Sequence, residues 1–134
     1  MRAFRALSTA IVLSTLVACS SPAPPAPPGP LRTPTKVGDV TGIWRSTHQN
    51  TLEFRANGTF VLITPITEAM AGSYTLDQDK ITLFDTKTCG TAQGTYRIQV
   101  ATKDRMQLSE PDDACGPRRT ALADPYVYAQ PDFS

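Results

Sequence analysis

From residue 37 onward the chain is written in short runs that alternate apolar and polar residues, broken by Gly, Asn, Asp or Pro. Leu52-Glu53-Phe54-Arg55 alternates, as does Tyr96-Arg97-Ile98-Gln99-Val100. A period of two places successive side chains on opposite faces of a strand, and no window sustains the 3.6-residue apolar period of a helix. The pattern predicts eight short strands, near 41–47, 51–56, 59–64, 70–76, 80–85, 94–101, 105–110 and 118–124. Asn57-Gly58 predicts a hairpin turn with φ > 0 at both residues. Phe60-Val61-Leu62-Ile63 is continuous, as in a strand partly covered on both faces. Pro65, Pro111 and Pro117 are expected at strand ends or in loops, where no ladder donor is needed.

A weak internal repeat supports a meander of hairpins. Gly72-Ser73-Tyr74 and Gly94-Thr95-Tyr96 share one pattern, and Gly42-Ile43-Trp44 echoes it. Parity along the strands then turns one set inward: Trp44, Leu52, Phe54, Leu62, Tyr74, Leu76, Leu83, Tyr96, Ile98, Met106 and Leu108. Short antiparallel strands with open edges invite aggregation, and closure into a barrel removes the edges. The expected class is therefore all-β, a small antiparallel up-and-down barrel spanning residues 39–131. Eight strands enclose an interior that side chains can fill, or that can hold one small ligand.

The order of these motifs resembles bacterial lipocalin-like domains. The resemblance rests on Gly42-Ile43-Trp44, Leu52-Glu53-Phe54-x-x-Asn57-Gly58-Thr59-Phe60, the paired Gly-x-Tyr strands and the late Cys115-x-x-Arg118. It implies that an arginine of the last strand packs over the tryptophan of the first and seals one barrel end. Arg118 takes that role against Trp44, as a cation–π contact worth about 0.5–2 kcal/mol. The alternative is that Arg118 and Arg119 are solvated rim residues.

The first 38 residues are of another kind. Arg2 and Arg5 precede an uncharged apolar run, Ala6 to Ala18, whose helix would span only about 20 Å against a hydrocarbon core of roughly 30 Å. This reads as a signal peptide over residues 1–18. Leu16-Val17-Ala18-Cys19 resembles the lipobox of bacterial lipoproteins, which implies cleavage before Cys19 and lipidation of its thiol. Ser20 at the next position implies the outer membrane of the cell envelope. Seven of the twelve prolines fall between Pro22 and Pro34, so residues 19–38 read as an extended polyproline tether.

With Cys19 assigned to lipid, Cys89 and Cys115 remain as an even pair in an oxidising compartment, where a disulfide is expected. Their spacing holds no Cys-x-x-Cys, and the only His is remote in sequence, which gives no basis for a metal. A formal charge of +1 argues against nucleic-acid binding. Aromatic residues are 7% of the chain, too few for stacking platforms. Ser46 and His48, two apart on a predicted strand, lie about 6–7 Å from each other, too far for a nucleophile–base hydrogen bond. Asp77, Asp79, Asp112 and Asp113 are explained as turn residues. Nothing motivates an enzyme or a cofactor. The expectation is a monomeric, membrane-anchored module that binds a small apolar or amphipathic ligand in the barrel mouth. A rim that binds another envelope protein, as an inhibitor or assembly factor, is the alternative.

Overall fold

A computed structural model describes residues 29–84 and 87–131. Cys19 and the predicted signal peptide lie outside the described residues. Eight antiparallel strands pair in sequence order and close on themselves: β1 Gly42–Ser46, β2 Thr51–Phe54, β3 Thr59–Ile63, β4 Met70–Asp77, β5 Lys80–Phe84, β6 Gln93–Ala101, β7 Arg105–Asp113 and β8 Tyr126–Gln130. This is the expected up-and-down barrel, with β8 returning to β1 through Trp44 opposite Tyr128 and Ser46 opposite Tyr126.

The interior follows the parity of the strands. Trp44, Leu52, Phe54, Leu62, Tyr74, Leu83, Tyr96, Ile98, Met106 and Leu108 are all buried, and Leu76 is half-buried against them. Phe60, Met70, Ile81, Val100 and Tyr126 join the same cluster. These large side chains fill the barrel, so its centre is a packed core and not a calyx. In β3 the continuous apolar run splits by face, with Phe60 and Leu62 buried and Ile63 48% exposed.

Two local expectations are corrected. At Asn57-Gly58 only Gly58 has a positive φ, 85°. The loop is instead closed by Gly58 N–H to the Arg55 carbonyl at 3.1 Å, while the Asn57 side chain accepts the Thr59 N–H at 3.0 Å. The predicted strand over 118–124 is absent, because α1, Gly116–Leu122, occupies that stretch. Pro117 supplies the helical φ at its first turn without needing a donor. Arg118, Ala121 and Leu122 are the buried residues, a spacing of three and four that belongs to a helix. The last strand starts only at Tyr126, in the aromatic and β-branched run Tyr126-Val127-Tyr128.

Pro111 lies within β7, not beyond it, and is accommodated by a bulge. The register with β6 shifts between Thr95 and Arg97, and Glu110 has φ 50°. The extra residue leaves Pro111 with no ladder bond to donate.

Part of the segment assigned to the tether is bound to the barrel. Arg32 exchanges two backbone hydrogen bonds with Val100, each 2.8 Å. Asp39, buried in the short 3-10 turn Val37–Asp39, accepts the Thr35 N–H at 2.9 Å and faces the Arg32 guanidinium at 3.4 Å. Burial alone would raise the Asp39 carboxyl, but the Thr35 N–H and hydroxyl and the Arg32 charge bring it below its ordinary value. This clasp closes the end where β1 begins.

Candidate functional site at the barrel mouth

The up-and-down topology gives the barrel two unlike ends. At the closed end lie the N-terminal segment and the short turns β2–β3, β4–β5 and β6–β7. Trp44 is turned toward that end: its Nε1 donates to the Val40 carbonyl at 2.8 Å. Its ring meets Tyr128 edge-on at 5.2 Å and 74°. Lys103 covers Tyr128 at 4.9 Å, so the cation–π contact found here is Lys103 on Tyr128. The expected role of Arg118 against Trp44 is corrected, because Arg118 stands on α1 and its guanidinium is engaged at the mouth.

There Arg118 Nε and Nη2 donate to Asp113 Oδ2 and Oδ1 at 2.7 and 2.8 Å. Nη2 also reaches the Ala92 carbonyl at 3.0 Å. The Tyr96 hydroxyl donates to Asp113 Oδ2, and the Cys115 N–H donates to Oδ1 at 2.9 Å. Burial would raise the Asp113 carboxyl, yet the donors of Arg118, Tyr96 and Cys115 together hold it below its usual range. Tyr96 is pushed far above an ordinary phenol by burial first, then by the Asp113 carboxylate. Asp113, read from sequence as a turn residue, is thus a buried anchor at the end of β7. Cys115, the residue before α1, is joined to Cys89 by a disulfide, with S–S 2.05 Å and Cα–Cα 5.5 Å. The bond ties the β5–β6 loop to the helix.

Held in this way, α1 plugs the mouth. Ala121 and Leu122 face the core, and the Tyr126 hydroxyl donates to the Ala121 carbonyl at 2.8 Å. Burial, then the Asp124 carboxylate, raises the Tyr126 phenol well above its ordinary value. Across from the helix, Asn50 Nδ2 donates to Asp124 Oδ2 at 3.1 Å. His48 Nδ1 meets the same oxygen at 2.9 Å. His48 lies in the turn after β1 and not on the strand, and Asp124, seventy-six residues away, is the partner that sequence reasoning missed.

Between α1, the β1–β2 turn and the β3–β4 loop lies a cleft of about 730 Å³. Pro65, Ile66, Pro117 and Ala121 supply its apolar surface, and Asn50, Thr64, Thr67 and Thr120 its neutral polar groups. The β3–β4 loop is shaped by Thr64, whose hydroxyl pairs with that of Thr67 and accepts the Thr67 N–H at 3.1 Å. Ile66 stands at its tip, 91% exposed. None of the residues predicted to line the barrel lines this cleft. The missed signal was Thr64-Pro65-Ile66-Thr67, an apolar residue set in a turn sequence. Among the described residues no group of three His, Cys, Asp or Glu side chains is placed to hold a metal ion.

No family model, no curated protein and no solved structure matches this chain at a significant level.

Proposed function

We propose that this chain is a lipid-anchored, non-catalytic binding protein of the bacterial cell envelope, at the outer membrane, whose ligand is small and apolar or amphipathic. The observation that carries the reading is the cleft at the mouth, with an apolar lip and neutral polar walls. Ligand sites are concave, mostly apolar and carry a few placed polar groups, and this cleft has that make-up. The packed core leaves the rim, and not the barrel centre, as the place for the proposed site. The anchor is supported by Arg2, Arg5, the apolar run to Ala18 and the lipobox-like Leu16-Val17-Ala18-Cys19.

Thermal unfolding of the full chain against a series of amphiphiles is the test. A ligand at one hundred times its Kd adds about 2.7 kcal/mol of stability. Thr120→Trp, which fills the cleft from its exposed wall, abolishes that gain while the unliganded Tm stays within a few degrees. The same gain in Thr120→Trp would place the ligand elsewhere. Trp44 emission is no reporter of this site, since the indole is turned to the closed end.

A second reading, a rim that binds another envelope protein, is favoured by the exposure of Ile66. It expects Ile66→Asp to abolish partner binding with no amphiphile stabilising the wild type.

A further inference from the structure

Resting on that reading, we infer that the cleft takes an uncharged amphiphile from the aqueous phase and is turned away from the membrane that anchors the chain.

The direction follows from where the chain enters the barrel. The Gly29 carbonyl accepts Arg105 Nη2 at 2.7 Å. Arg105 opens β7 at the β6–β7 turn, and Arg32 is paired to Val100 beside it. Both contacts belong to the closed end. The β1–β2 turn, the β3–β4 loop and α1, which form the cleft, belong to the other end. Cys19 precedes Gly29 by ten residues, a reach of at most about 36 Å by covalent geometry. A lipid on Cys19 tethers the closed end to the bilayer, and with that end nearest the lipid the barrel itself stands between the bilayer and the cleft. An acyl chain of the anchoring membrane would have to leave the bilayer and pass the length of the barrel to reach Ile66.

The uncharged head follows from the pairing within the cleft. Among the described residues its only ionisable lining residues are His48 and Asp124, and they are partners to each other at 2.9 Å. Asp124 Oδ2 is further engaged by Asn50. A carboxylate or ammonium head would have to compete with this contact for its counter-charge. A hydroxyl or amide head needs only hydrogen-bonding partners, which Thr64, Thr67, Thr120 and Asn50 provide along the walls. The tail then lies against Pro65, Ile66, Pro117 and Ala121.

Two measurements test this. In the first, the full lipidated chain is reconstituted in phosphatidylethanolamine–phosphatidylglycerol vesicles carrying a headgroup energy acceptor. A donor dye is placed by Lys103→Cys or by Thr67→Cys. Transfer is expected to be clearly stronger from position 103 than from position 67; equal or reversed transfer overturns the orientation. In the second, the full chain with Cys19→Ser is titrated with octanol, octanoate and octyltrimethylammonium, read by NMR at the Ile66 and Ala121 methyls. Octanol is expected to bind at least tenfold tighter than either ion. Equal or tighter binding of an ion overturns the uncharged head. Binding of none of the three would count against the small-ligand reading itself and so overturn the inference with it.

Discussion

Asp113 and Arg118 form a two-point ion pair at the barrel mouth, with both side chains fully out of solvent and the closest approach 2.7 Å. The pair joins the end of β7 to the first turn of α1, and through Tyr96 it also touches the wall of β6. Taking two charges out of water is costly, and the cost is met only because both carboxylate oxygens are hydrogen-bonded. What the pair fixes is the rotation of α1, and hence the floor of the cleft.

Removing one partner leaves a buried charge behind. Arg118→Met should cost about 3–5 kcal/mol, read as a lower urea midpoint with an unchanged slope. Arg118→Met with Asp113→Asn should cost less than Arg118→Met alone, because the neutral amide can still accept the Cys115 N–H. Additive losses would show that the two residues act independently.

Gly94 makes room for this pair. A Cβ there would sit 2.7 Å from Asp113 Cγ and 3.0 Å from Arg118 Nε, and neither atom is the loose end of a flexible chain. Gly94→Ala is expected to destabilise by about 2–3 kcal/mol, within the range for overpacking. In an Arg118→Met background the same change should cost clearly less, as measured by a double-mutant cycle.

The barrel was legible in the sequence where burial is decided locally. Leu52 and Phe54, or Tyr96, Ile98 and Val100, show their inward face by parity alone, and register then follows from neighbouring hairpins. The helix was not legible: at seven residues it is too short for its period to stand out. Arg118 with Thr120 and Leu122 reads equally well as an alternating strand. The site fared worse because its contacts are non-local. His48 meets Asp124 only after the barrel closes, and Asp113 becomes an anchor only once α1 turns Arg118 toward it.

The disulfide shortens the loops available to the unfolded chain. Cys89 and Cys115 are separated by 26 residues, and closing such a loop contributes about 3–4 kcal/mol by chain entropy. Cys89→Ser with Cys115→Ser should lose that amount and loosen the mouth before the closed end. Hydrogen exchange measures this: amides of α1 should speed up more than those of β1 and β2.

Stability should fall at both extremes of pH. The Asp39 and Asp113 carboxyls lie lower in the folded than in the unfolded chain. Their contribution is present above the unfolded value near 4 and is lost as pH falls through the folded values. Tyr96 and Tyr126 lie higher when folded, so theirs is present below the unfolded value near 10 and lost as pH rises beyond it. Phenolate absorbance should accordingly show Tyr96 and Tyr126 ionising only as the barrel unfolds. Asp39→Asn should flatten the acid limb of a Tm–pH curve.

Ligand is proposed to bind at the rim cleft and not in the barrel interior. Photolabelling with a neutral alkyl diazirine, followed by peptide mapping, tests it most directly. Label is expected on residues 64–67 and 117–124, competed by unlabelled octanol and lost in Thr120→Trp. Label on the inward residues of β2, β6 and β7, such as Leu52, Ile98 or Leu108, would contradict it.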